Sequence, residues 1–274
     1  LFCGRKTGKN TGCGLFSNVK ELPKMVHHEL AATSLTEIKE SVIDLAILPW
    51  GATEPHNLHL PYGTDCLAST SISVDAAKKA ALQGVRCMVL PAIPLGSQNP
   101  GQTDMPLCIH TRYETQKAIL TDIVASLHRQ GFRKLVIING HGGNSFKNMI
   151  RDLAVDYTGF TIVIANWYDI VPQGGYFENR DDHAGEMETS VIMHYFPELV
   201  LPLSEAGDGA ETPFSIESLN DKTAWTPRHW NKATNDTGIG NPKLATAEKG
   251  KRYADVVSDS LCKLFIELTT KELY

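Results

Sequence analysis

The sequence predicts an α/β fold: a single layered α/β/α domain over residues 25–274, built on a mainly parallel sheet. Two observations lead there. Strand-like apolar runs alternate with helix-length segments beyond Lys24, and repeated strand, helix, strand units imply right-handed crossovers that set the strands parallel and place helices on both faces. The chain has 274 residues, 42% of them hydrophobic, enough to bury one substantial core.

Element by element, Ser34 and Glu37 form an S-x-x-E capping signature that opens a short helix. "VIDLAILPW" (42–50) follows as a buried strand, then a helix from Cys66 to Leu82 and the strand "RCMVLPAI" (86–93). A longer helix runs from Tyr113 to Gln130 and stops at Gly131. "KLVIING" (134–140) is the third strand, Ser145 to Tyr157 the next helix, and "FTIVIANW" (160–167) the fourth strand. Glu186 to Tyr195 reads as a helix ended by Pro197. Residues 201–241 read as irregular chain, and "KLATAEKGKRYADVVSDSLCKLFIEL" (243–268) as a closing amphipathic helix. Residues 1–24 are read as an N-terminal extension and play no part in the expected site.

Composition narrows the function. A formal charge of −5 and a pI near 6.1 leave no basic footprint for nucleic acid. No apolar run approaches the roughly 18 residues of a membrane span. Six cysteines (Cys3, Cys13, Cys66, Cys87, Cys108, Cys262) without a CxxC pair point to free thiols in a reducing cytoplasm rather than to disulfides or a zinc ribbon. The expected partner is a small-molecule substrate.

Parallel sheets bind ligands beyond the carboxyl ends of their strands, and there the reactive side chains gather. The first strand is followed by "TEPHNLHLPYGTD", the third by "NGHGGN", and the fourth by a segment ending in "DDHAGEMETS". Glu54 and His56, two apart, share one face of an extended segment, and Asp65 can fold back past the turn "LPYG". Carboxylate plus imidazole suits zinc or manganese, and an aspartate can bridge two such ions. Plainer roles stay open: Asp65 as the cap of the next helix, and His56 or His59 as a hydrogen-bonded core histidine. His141 sits among glycines that let the backbone approach a ligand closely. His183 stands at a helix entrance with Glu186 and Glu188, and Glu186 reads as a solvated first-turn acid favoured by the helix dipole. A serine nucleophile lacks its G-x-S-x-G, and Asp65 beside Cys66 opposes thiolate formation.

"LPWGATEPHNLHLPYGTD", "NGHGGN", "HAGEMETS" and "TGIGNPKLATAEKG" together resemble the creatininase (creatinine amidohydrolase) family, in order and spacing from about residue 30 to 265. The resemblance implies a binuclear metal hydrolase that assembles as a homo-oligomer, often a hexamer. By matching motif positions it implies two divalent ions, zinc and/or manganese: Glu54, Asp65 and His141 would hold one, His56 and Asp65 the other. Gly142 and Gly143 stand where creatinine-acting members carry Tyr and Glu, so one ligand is missing, and Glu188 is read as its replacement. Pro55 and Asn57 replace the usual Gln and Gly.

The expected activity is metal-dependent opening of a cyclic amide, creatinine or a related small one, by a metal-activated hydroxide. His183 is the expected proton donor to the departing nitrogen, and Glu188 belongs with it in the catalytic set. Hydrolysis of a lactone, formamide or sugar-derived substrate stays open, as does a catalytically silent metal-binding relative.

Overall fold

The computed structural model of the protein describes residues 27–274. The expected extension over residues 1–24, with Cys3 and Cys13, lies outside them.

Four strands form one sheet: β1 (Leu45–Trp50), β2 (Cys87–Val89), β3 (Lys134–Asn139) and β4 (Thr161–Asn166), in the order β2-β1-β3-β4. Every pairing is parallel, with Leu45 beside Cys87, Ala46 beside Leu135 and Lys134 beside Thr161. The helices are α1 (Leu35–Glu40), α2 (Thr64–Ala81), α3 (Tyr113–Arg129), α4 (Lys147–Asp156), α5 (Glu186–Tyr195), the four-residue α6 (Glu217–Asn220) and α7 (Trp230–Ala233), and the long α8 (Ala247–Thr270).

Strand alternation divides the core in two. Leu45, Ile47, Val136 and Ile138 face α2, α5 and α8, burying Ile72, Val191, Val257 and Phe265. Ala46, Leu48, Leu135 and Ile137 face α3 and α4, burying Leu120, Val124, Met149 and Leu153. Both faces of β1 are therefore covered, so its sequence is one continuous apolar run. The expected α/β/α layering is present.

Several boundaries shift for local reasons. Ser34 and Glu37 do form the capping box of α1, but β1 starts at Leu45 because Asp44 is engaged by Arg86 through its backbone N–H and guanidinium. β2 is short, since Pro91 lacks the N–H to extend its ladder. α8 begins after Thr246, whose hydroxyl accepts from the Lys249 N–H at 3.2 Å. α2 begins two residues earlier than the spacing suggests, with Gly63 as its cap, which places Asp65 inside the first turn. The helix-cap role for Asp65 is thereby ruled out.

The chain leaves β1 for β2 on one side and returns to β3 on the other, so the winding reverses between β1 and β3. Their carboxyl ends open the crevice where doubly wound sheets hold ligands. On the helical side, α5 and α8 meet closely at Gly250, where a Cβ would lie 1.8 Å from the Ser190 carbonyl oxygen. Gly250→Val should force these helices apart and cost about 3 kcal/mol of stability, read as a lower urea midpoint at unchanged slope. A midpoint equal to wild type would show that the contact relaxes freely.

Candidate metal centre

Asp65 is seated directly on the ends of the two central strands. A Cβ on Gly51, just past β1, would lie 2.5 Å from the Asp65 Cβ, and one on Gly140, just past β3, would lie 2.5 Å from its carbonyl oxygen. These two glycines allow the first turn of α2 to rest on the sheet. Asp65 then meets His56 and Glu54 from the β1 loop, His141 from the β3 loop, and His183 and Glu188 from the entrance of α5. All six are buried.

The orientation of the three imidazoles is the decisive geometry. His56 Nδ1 lies 3.1 Å from the Glu54 carbonyl oxygen, His141 Nε2 lies 2.7 Å from that of Ser97, and His183 Nε2 lies 3.0 Å from that of Pro55. A carbonyl can only accept, so each of these nitrogens carries the proton. The other nitrogen of each ring points inward. His141 Nδ1 lies 2.8 Å from Glu54 Oε1 and 3.3 Å from Asp65 Oδ2, His56 Nε2 lies 3.0 Å from Asp65 Oδ1 and 3.8 Å from Glu54 Oε1, and His183 Nδ1 lies 4.0 Å from Glu54 Oε1. Metal-bound histidines are oriented in this way, one nitrogen held by an acceptor and the other left as a ligand.

Among the described residues, Glu54 Oε1 and Asp65 Oδ2 are buried and accept no hydrogen bond. Ligand-capable atoms converge in three overlapping triads: Glu54–Asp65–His141, His56–Asp65–Glu188 and Glu54–His56–His183. The first two share Asp65. Orphaned carboxylate oxygens facing inward nitrogens fit a divalent cation, and the nitrogen and oxygen donor set suits zinc or manganese.

The charged groups of the cluster act strongly on one another. Burial opposes charge on His56, but Asp65, Glu54 and Glu188 outweigh it and push the imidazole up to about 10. Burial likewise opposes charge on Asp65, and His56 and His141 overrule it and hold the carboxyl far below its usual range. His141 is raised well above its ordinary value, burial being overcome chiefly by Glu54. Glu188 is pushed up to about 8 by burial, against His56 and with help from Asp181. Protons and cations thus compete for the same lone pairs, and metal uptake would release protons.

Flanking elements hold these groups still. His183 is paired with Ile239 through both backbone N–H···O bonds, at 2.9 and 2.8 Å, so "TGIGNP" braces the β4–α5 connection. Its ring stacks on His56 at 4.3 Å and receives the Trp230 ring edge-on at 5.3 Å. Ala184 turns the chain at φ 54°, and its N–H donates to Glu188 Oε2 at 2.5 Å. Asp181 accepts from the N–H groups of Gly185 (3.0 Å) and Glu188 (2.9 Å), closing the N-terminus of α5. Asn57 sits at φ 53°. Like the glycine it replaces, asparagine tolerates this left-handed backbone.

One reading of the sequence needs correction, one open alternative is resolved, and two readings hold. Glu186 is not a solvated acid: it is fully buried, pairs with Lys249 at 2.7 Å and accepts from the N–H groups of Glu178 and Asn179. His59 is the core histidine, bonded to Thr189 at 2.9 Å and pushed down to about 4 by burial and then by His56, whereas His56 belongs to the cluster. Cys66, pushed up to about 12 by burial and then by Asp65, is no nucleophile. Cys66, Cys87, Cys108 and Cys262 are free thiols. Among the described residues no helix is long and apolar enough to cross a membrane. Asp181, Trp230 and Gln102, whose side-chain amide donates to Glu54 Oε2, were not legible. Only the position of Asp181 ahead of a helix offers a signal.

Residues 28–265 match the family model described as creatininase, creatinine amidohydrolase. The chain belongs to the creatininase family. It is similar to a crystal structure of a provisionally named creatinine amidohydrolase from Bacteroides fragilis NCTC 9343, 60% identical with a TM-score of 0.89, covering 90% of this chain and 98% of that one. A mycofactocin precursor peptide peptidase from Mycobacterium ulcerans is 30% identical over 80% of this chain and 83% of its own. A 3-dehydro-scyllo-inosose hydrolase from Thermotoga maritima is 28% identical over 84% and 80%. Members of the creatininase family are hydrolases, and these relatives act on unlike substrates.

The two glutamates of α5 should separate cleanly. Glu188→Gln should lower bound metal with little change in fold, while Glu186→Gln should keep metal and lose about 1–2 kcal/mol of stability, since Lys249 is left facing a neutral partner but stays partly solvated. Metal analysis and urea unfolding of both variants test this. Equal effects on both readouts would contradict the division.

Proposed function

We propose that the protein is a metal-dependent hydrolase that opens a small cyclic amide at a two-cation centre. The observation carrying this is the convergence of three carbonyl-anchored imidazoles on the unbonded oxygens of Glu54 and Asp65. Glu54, Asp65 and His141 would hold one cation, and His56, Asp65 and Glu188 the other, with Asp65 shared. The amide preference draws support from the name carried by the Bacteroides protein and by the family. On the family resemblance the proposal extends to a cytoplasmic homo-oligomer.

The local packing at Gly143 supports a ligand set unlike the one the resemblance implies for creatinine-acting members. A Cβ on Gly143 would lie 2.1 Å from the Ser97 carbonyl oxygen and 2.5 Å from His141 Nε2, so a glutamate has no room there. Glu188, grouped with His56 and Asp65, would supply the carboxylate instead.

When bound, the cations supply an acidified water and a polarised carbonyl. The chain's own residues manage the proton. Burial, then His56, holds the pKa of His183 below its usual value, and its Nε2–H is committed to Pro55. Nδ1 therefore takes the proton released as the water oxygen bonds to the carbonyl carbon, and returns it to nitrogen as the carbon–nitrogen bond breaks. Trp230 and His56 hold the ring in place for both transfers.

A second reading follows from the Glu54–His56–His183 triad, in which His183 is itself a ligand. His183→Asn separates the two. As a proton carrier, its loss should lower kcat by about 10²–10⁴ at near wild-type metal content, with a smaller loss on an activated lactone. Loss of metal, or equal damage to amide and lactone, would make it a ligand. The substrate class is tested by assaying zinc- or manganese-loaded protein on creatinine, other small cyclic amides, lactones and formamides. Chelator-sensitive turnover of a cyclic amide is expected, and turnover confined to lactones or formamides would overturn the amide assignment.

A further inference from the structure

Glu54 has two oxygens in unlike circumstances. Oε1 faces three imidazole nitrogens and accepts no hydrogen bond among the described residues, whereas Oε2 receives the side-chain amide of Gln102. Gln102 is only 2% exposed, and its amide orientation is determined by its neighbours. The Asn99 N–H donates to Gln102 Oε1 at 3.2 Å, and a backbone N–H requires an acceptor, so Nε2 must be the end that meets the carboxylate.

The segment carrying Gln102 is itself tied to the cluster. Pro100 accepts the Trp230 N–H at 2.8 Å, and Trp230 packs on His183. Gly101 sits at φ +81°, where an added Cβ would lie 2.7 Å from the Asn231 side chain. Three residues upstream of Pro100, Ser97 provides the carbonyl that anchors His141. The β2–α3 loop is thus a collar that reaches two ligand candidates from outside, His141 through a main-chain carbonyl and Glu54 through an amide.

We propose that Gln102 is a positioning residue that fixes the rotation of the Glu54 carboxylate, reserving Oε2 for the amide and presenting Oε1 as the cation ligand. This rests on the metal reading given above. An untethered Glu54 could turn its second oxygen inward or swing away, and the cation shared with Asp65 and His141 would bind less tightly. Outer partners of metal ligands typically carry about 10–100-fold in affinity. Because Gln102 acts only through Glu54, its effect must disappear once Glu54 is changed.

The test is a chelator-competition titration of the metal-depleted full-length protein with Zn²⁺, comparing wild type, Gln102→Leu, Glu54→Gln and the double variant. Gln102→Leu should weaken one of two bound ions by about 10–100-fold while the other and the thermal midpoint of the metal-depleted protein stay near wild type. Glu54→Gln should weaken the same ion, and adding Gln102→Leu to it should change nothing further. Gln102→Ser, which also cannot reach Glu54, replaces the leucine variant should that one fail to fold. If wild type binds zinc and Gln102→Leu binds it equally well, the positioning role is overturned while the metal centre stands. Additive losses in the double variant would mean that Gln102 merely supports the loop. A wild-type chain that binds no zinc would overturn the metal reading and this proposal together.

Discussion

Three carboxylates and three imidazoles share one buried site at the end of the central strands, and the surrounding structure is arranged to make that tolerable. Unpaired charge in a dry interior costs several kcal/mol per group, so such a cluster persists only if neighbouring dipoles and charges satisfy it. The satisfaction comes largely from main chain. Glu54, Pro55 and Ser97 lend carbonyls to the three rings, and Gly185 and Ala184 lend N–H groups to Asp181 and Glu188. Main-chain partners move only when an element moves. The cluster's geometry is therefore as stiff as the loops that carry it.

Those loops are stiff because they are cross-braced. The β2–α3 loop is held by α7, the β4–α5 connection by Ile239, and the chain before α5 by Glu186, which Lys249 of α8 neutralises. The late "TGIGNPKLATAEKG" segment thus earns no ligand role. Its Ile239 and Lys249 brace the entrance of α5, and its Gly250 admits α8 to the surface of α5.

What could be read from the sequence follows from the range of each signal. Strand and helix periodicity is local, so β1, β3, β4 and the long helices were recognisable to within a few residues. The shifts at β1, β2 and α8 arose from single side chains such as Asp44, Pro91 and Thr246. Glu54, His56, Asp65, His141, His183 and Glu188 were legible because parallel winding brings strand ends together. Glu186 was misjudged because its partner Lys249 lies 63 residues away, beyond any reasoning about helix dipoles. Gln102 was invisible for a similar reason: no short-range pattern marks a glutamine whose side-chain amide meets a carboxylate 48 residues earlier.

The tight fit at Gly143 also bears on how family members can diverge. With the Ser97 carbonyl 2.1 Å from where a side chain would begin, the NGHGGN loop accepts a glutamate only if its surroundings shift. The β2–α3 loop must first retreat, and its retreat would withdraw the carbonyl that holds His141. Each intermediate would therefore disturb one ligand candidate before gaining another. A side chain at position 143 is therefore expected only in company with changes around position 97.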